Sequence, residues 1–391
     1  MADVFRVAQV LVEHAVRVHG DGVAIIAYYG SRARGTGSAT SDLDIFYIPE
    51  EGQAESLCTQ FVLDGLPYDF WPVSWRTAER IANAESDRPW AFSASLLADA
   101  KVLHARSPED RGRFEALQDR IAELTRPEQR GPMIGKALDA FPTVLAHLGQ
   151  MQLAAARGDG AGLRAAGFDL ANSAVNCLAL VNQVYLRRGW GADLAEVSEM
   201  QQRPADLEAM LSGLLLPEGP KAALAQATRL VGEVRQVLLA AQRSTAAGAE
   251  AGDVFRDYYF FVHEYVAKIV SACAREQRLA AAAAALSLQR ELCEQMSKVT
   301  DGAPHLDFNL LGEYQDSYLA AGFPDLLGPA GRGDLTELAE RARELQEKAA
   351  AWLGEHGVDL NLLASEEDLP RFLDARDPAR PHAEAAEGEA R

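Results

Sequence analysis

Apolar residues follow two rhythms along this chain. Near its start, three short runs are dense in β-branched and aromatic residues: "VAIIAYYG" (23–30), "DLDIFYIP" (42–49) and "LPYDFWPVSW" (66–75). Turn-forming residues bound them, so each predicts a buried strand. Ahead of them, "MADVFRVAQVLVEHAVRVHG" carries apolar positions at helical spacing. "EEGQAESLCTQFVLDG" (50–65) reads as a helical crossover between the second and third strands, and "RTAERIANAES" (76–86) as a further helix. The result is a small sheet covered by helices.

From residue 107 the strand rhythm stops, and Ala, Leu, Glu, Gln and Arg dominate. Helices are predicted over 107–125, 132–157, 160–188, 204–213, 219–244, 252–278, 279–299 and 333–356. The breakers "RPEQRGP", "RGDGAG", "RGWGAD", "LPEGP" and "FPDLLGPAGRGD" separate them. Long helices on short connections make a bundle. The final "DARDPARPHAEAAEGEAR" is poor in apolar residues and predicts a disordered tail. The chain therefore reads as α+β, with a small mixed-sheet domain over 1–106, a large all-α helical bundle over 107–365 and a tail over 366–391.

Composition adds little to this picture, at 48% hydrophobic and 24% charged residues, but charge adds more. A formal net charge of −19 disfavours a sequence-independent grip on nucleic acid, which needs Lys and Arg to displace counterions from phosphate. The same charge attracts cationic small molecules or basic partners. Cys58, Cys177, Cys273 and Cys293 share no short spacing, which excludes a zinc ribbon or a redox pair and suits free thiols in the cytoplasm. No run of about 18 apolar residues is present, so no membrane span is expected. The N-terminus reads as an amphipathic helix rather than a signal peptide.

The second strand holds the candidate chemistry. Asp42 and Asp44 are two residues apart on an otherwise apolar strand, so both point to one face and repel each other there. A bound cation is the usual compensation. Mg²⁺ is a hard ion that binds through one or two carboxylates plus substrate phosphates. Asp69, inside "LPYDFWPV", adds a third carboxylate on a further strand, and three such groups can hold a pair of ions. Gly30 allows a tight turn close to a phosphate, Ser31 supplies a hydroxyl, and Arg32 and Arg34 add positive charge.

These residues, in this order, resemble the nucleotidyltransferase superfamily that includes DNA polymerase beta, and within it the aminoglycoside nucleotidyltransferases and minimal nucleotidyltransferases. The pattern is Gly30-Ser31, about ten residues of loop, Asp42-Leu43-Asp44, then Asp69, and "LADAKVLHAR" resembles the segment that closes the domain. The resemblance covers roughly residues 20–104 and implies a nucleotidyltransferase catalytic domain over 1–106. It implies Mg²⁺ held by Asp42, Asp44 and Asp69, and ATP or another nucleoside triphosphate seated by Gly30, Ser31, Arg32, Arg34 and Ser41. It further implies transfer of a nucleoside monophosphate, AMP from ATP, to a hydroxyl of a small molecule such as an aminoglycoside-like antibiotic.

The general base is left open among Asp69, Asp169 in the helical half and Glu264. "FRDYYFFVHEYVAKI" offers Arg256 and His263 seven apart on one helix, a loose resemblance to small helical ribonuclease toxins. Two alternatives accompany the main reading: nucleotidylation of a protein or tRNA in a toxin–antitoxin-like setting, and a catalytically silent nucleotide-binding scaffold.

Overall fold

The computed structural model describes residues 3–38, 41–50, 57–86, 88–188, 194–245, 249–300 and 311–376. The fold is α+β, a small mixed sheet near the N-terminus followed by a long series of helices. Five strands make the sheet: β1 (Val23–Tyr29), β2 (Leu43–Pro49), β3 (Thr59–Leu63), β4 (Leu66–Pro72) and β5 (Lys101–Ala105). Their order is β3-β4-β2-β1-β5. β2 and β4 run parallel, and the other pairs are antiparallel.

Alternation along β2 explains how the sheet is covered. Ile45 and Tyr47 join Val4, Ala8 and Ala15 of helix α1 (Val4–His19) in one buried cluster. Phe46 points to the other face and meets Phe114 of a later helix, ring centres 6.1 Å apart. That second face meets α3 (Trp90–Ala98) and α4 (Pro108–Leu124), and α2 (Trp75–Ala82) packs against these two helices. Ser107 caps α4 through the Asp110 N–H, with Pro108 at its first turn. Helices α5 (Arg130–Ala156), α6 (Gly160–Val181), α7 (Leu207–Leu215) and α8 (Pro220–Thr245) follow.

The chain divides into two compact units, Met1–Ala246 and Ala247–Arg391, so α4 to α8 belong to the same unit as the sheet. In the second unit, α9 (Tyr259–Ala274), α10 (Arg278–Thr300), α11 (Leu311–Ala320), α12 (Leu327–Arg332) and α13 (Leu335–Glu355) are followed by α14 (Leu369–Ala375). Its core centres on Phe255, Val262, Ile269, Leu288, Leu338 and Leu345.

Several sequence expectations are corrected. Residues 59–63 form β3 and not part of a helical crossover. Asp64 and Gly65 both take positive φ (50° and 79°), the two-residue turn that folds β3 back onto β4. The predicted 160–188 helix stops at Val181. Gln183 takes φ 55°, and its buried side-chain amide donates to the carbonyls of Leu124 and Arg126. The predicted 252–278 helix is broken: Asp257 has φ 61°, and α9 starts only at Tyr259. Arg256 thus precedes α9 and pairs with Asp253, while His263 bonds Gln346, so the two do not share a helix face. The expected tail begins with helical residues, since α14 spans Leu369–Ala375; residues 377–391 lie outside the described residues.

Candidate active site

One row of residues crosses the sheet near the start of β2. By register, Tyr29 on β1 faces Asp44 on β2, Asp44 faces Asp69 on β4, and Asp69 faces Gln60 on β3. Neighbouring strands lie about 4.8 Å apart, so both carboxylates stand on one face in adjacent positions. Asp42, two residues before Asp44, has the same direction at the mouth of the strand. Asp42 is exposed, whereas Asp44 and Asp69 are half-buried.

The electrostatics follow from this crowding. Burial raises the Asp44 carboxyl to about 6, helped by the charges of Asp42 and Asp69. Tyr29 is also raised well above its ordinary value, by burial first and then by Asp44. The Trp71 indole stands edge-on to Tyr29, ring centres 6.5 Å apart, and partly offsets the rise of the phenol. Asp69 Oδ1 accepts a 3.2 Å hydrogen bond from the Gln60 amide.

The glycine after β1 is required by this arrangement. Gly30 takes φ 80°, and a Cβ there would lie 2.9 Å from Asp44 Oδ2. Gly30–Ala33 then makes one helical turn, with Ser31 half-buried in it. Arg32 turns back on the loop. Its guanidinium donates to the carbonyls of Ser38, Ser41 and Asp42, and thereby fixes the approach to β2. Ser41 belongs to the same clasp, its hydroxyl accepting the Ser38 N–H at 2.8 Å. The two residues thus hold the loop.

Arg34 lies elsewhere, on the wall of a cleft of about 690 Å³ lined also by Thr36, Asp99, Lys101, Arg187 and Glu196. Lys101 is the register partner of Tyr28, so this cleft opens at the same end of the sheet as the carboxylate row. Arg34 and Arg187 both approach Asp99, at 3.7 and 3.6 Å. The backbone N–H groups of Arg187 and Arg188 donate to Glu196.

Of the sequence candidates, Asp42, Asp44, Asp69 and Gly30 are brought together. Asp169 is exposed on α6, and Glu264 lies in the second unit, paired with Lys268 at 2.9 Å. Tyr29, Gln60, Trp71, Asp99 and Lys101 were not foreseen. The "DG" of "FVLDGLPY" was the signal for Gln60, because that hairpin sets Gln60 opposite Asp69.

Among the described residues, no group of three or more His, Cys, Asp or Glu side chains is placed to hold a metal ion by itself. None of the described helices is long and apolar enough to cross a membrane. No protein-family model matches the chain, and no curated protein matches its sequence. Among solved structures, the chain is similar to a nucleotidyltransferase-like protein from Exiguobacterium sibiricum 255-15. The two share 12% identity over 63% of this chain and 82% of that one, with a TM-score of 0.34, too loose an overlap to argue from.

Proposed function

We propose that this chain is a Mg²⁺-dependent nucleotidyltransferase that moves AMP from ATP to a hydroxyl of a small molecule. The observation that carries the reading is the row of Asp42, Asp44 and Asp69, three carboxyl groups on one sheet face, with Asp44 raised to about 6 by burial and by its two acidic neighbours. A purely structural sheet has no use for that cost, and a hard divalent ion removes it. The donor chemistry suits such an ion, since Asp44 and Asp69 offer adjacent carboxylate oxygens, although the three carboxylates do not form a closed cage by themselves. The open arrangement also fits Mg²⁺, which completes its shell from water and phosphate.

In this reading Asp42 and Asp44 hold the metal, and Asp69 completes the site or takes the acceptor proton. Bound there, Mg²⁺ would neutralise the triphosphate and the departing pyrophosphate. Gly30 lets the backbone pass against Asp44, and Ser31 offers a hydroxyl beside the phosphates. Arg34, Lys101, Arg187 and Arg188 line the neighbouring cleft together with Asp99, Glu196 and Glu199, and their guanidinium and ammonium groups are donors that a polyphosphate chain could use. The net charge of −19 supports a cationic acceptor, such as an aminoglycoside-like molecule, drawn in by the field of the whole protein.

The test is incubation with labelled ATP, Mg²⁺ and a panel of hydroxyl-bearing acceptors, cationic and neutral. Label should appear on an acceptor in wild type and not in Asp44→Asn. Mg²⁺-independent ATP binding, with no transfer and no pyrophosphate release, would sink the proposal.

A further inference from the structure

Asp99 is out of place by ordinary rules. It caps the C-terminal end of α3, where helix carbonyls and dipole disfavour an anion. Its side chain is only 15% exposed, and Oδ2 is buried without a hydrogen bond. Two guanidinium groups from distant parts of the chain face that oxygen, Arg34 Nη1 at 3.7 Å and Arg187 Nε at 3.6 Å. The Tyr185 hydroxyl stands 3.5 Å from Oδ1, and burial together with Asp99 raises this phenol.

None of these contacts reaches the length of a good charge-assisted hydrogen bond, about 2.8 Å. The carboxylate is neutralised, yet loosely. Arg34 comes from the turn that follows Gly30-Ser31, and Arg187 from the segment that follows α6. Both line the cleft that also carries Lys101. An ion pair in poor geometry on an open wall is one that a stronger, multivalent anion can replace.

Resting on the reading of this cleft as a polyphosphate site, we infer that Asp99 is its internal counter-ion. In the ligand-free protein Asp99 keeps Arg34 and Arg187 together; an entering polyphosphate takes over both guanidinium groups. Asp99 therefore competes with the ligand. It is a positioning residue that lowers polyphosphate affinity while joining the glycine turn to the segment after α6.

The probe is inorganic tripolyphosphate, titrated calorimetrically without Mg²⁺ into the full chain. Asp99→Asn should bind it roughly 3- to 10-fold more tightly than wild type, because a facing negative charge is gone. Asp99→Glu, which keeps the charge, should stay near wild type. A residue of merely structural value would give the opposite sign, weaker binding with a lowered Tm. Unchanged or weaker binding in a folded Asp99→Asn overturns the inference. Should that variant not fold, Arg34→Gln and Lys101→Gln decide. Arg34→Gln must lose more affinity, since it removes a cation and uncovers Asp99, and equal losses overturn the inference. If wild type does not bind tripolyphosphate at all, the cleft reading fails and this inference with it. If wild type binds but Asp99→Asn shows no gain, only the inference fails.

Discussion

The two ends of the sheet treat negative charge in opposite ways. At the end where β1 begins and β2 finishes, Arg106 holds Asp110 through two hydrogen bonds of 2.8 and 3.1 Å, and also bonds Glu50 and the Asp21 carbonyl. The Asp110 carboxyl is pulled below its ordinary value, chiefly by Arg106. At the end where β1 finishes and β2 begins, Asp42, Asp44 and Asp69 share a face, and Asp44 is pushed up to about 6. One sheet thus carries a satisfied cluster and an unsatisfied one. The satisfied end stabilises the fold, whereas the unsatisfied end costs stability, a cost that the proposed function would account for.

The largest effect separates the two ends by activity. If the proposed function holds, Asp42→Asn or Asp44→Asn should bring nucleotidyl transfer down to background, measured as label on the acceptor, because an amide lacks the negative charge that would hold Mg²⁺. Neither substitution should lower Tm, since each removes repulsion. Arg106→Leu should do the reverse. It leaves buried Asp110 without its cation and costs about 2 kcal/mol in denaturant unfolding, with transfer intact in the folded fraction. A large loss of stability in Asp44→Asn would erase the comparison.

A smaller effect is the pH dependence of stability, which has opposite signs at the two ends. Asp44 binds its proton more tightly when folded, so its contribution is full below the ordinary value of 3.8 and is lost as pH rises through about 6. Asp110 is held below that same ordinary value, so its contribution is present above 3.8 and is lost as pH falls through its folded value. Asp44→Asn should flatten the decline in Tm between about pH 4 and pH 6, while leaving the acid limb alone. Mg²⁺ should raise the wild-type Tm more at pH 7 than at pH 5, where protons compete for Asp44, and should not do so in Asp44→Asn. An equal rise at both pH values would detach the metal from this carboxylate.

What the sequence made legible follows from which residues act locally. Asp42 and Asp44 declare a shared face by spacing alone, and Gly30 declares a turn, so this part of the row could be read without coordinates. Asp69 was legible as an inward strand carboxylate, though its alignment with Asp44 needed the β2–β4 register. Gln60 is hidden because the pattern of residues 50–65 suggests a helix, against the hairpin signal of Asp64-Gly65. Asp99 and Lys101 could not be found by pattern, since their meaning lies in contacts with Arg34, Arg187 and β1. Arg32 was read for its charge alone. Its binding to three loop carbonyls depends on a chain reversal that composition does not encode. In the second unit, the positive φ of Asp257 broke a helix that periodicity alone had extended through it.

The smallest effect sharpens the unsatisfied end further. Asp69 has one described side-chain hydrogen bond, from the Gln60 amide on an exposed edge strand. Gln60→Leu removes that donor where water can replace it, so stability should move by no more than about 0.5 kcal/mol. The oriented oxygen is what changes. If Asp69 is a metal ligand, loss of its supporting bond should raise the Mg²⁺ concentration needed for half-maximal transfer, by up to about tenfold, with the saturated rate preserved. If Asp69 is the general base, the Mg²⁺ requirement should stay fixed and the saturated rate should fall instead. We expect the first outcome, because Asp69 stands directly beside Asp44 in the register, where one ion could be shared between them. Steady-state transfer measured across a Mg²⁺ titration, in wild type and in this one variant, separates the two roles. No change in either quantity would remove the Gln60–Asp69 bond from the chemistry and leave Asp42 and Asp44 as the working pair.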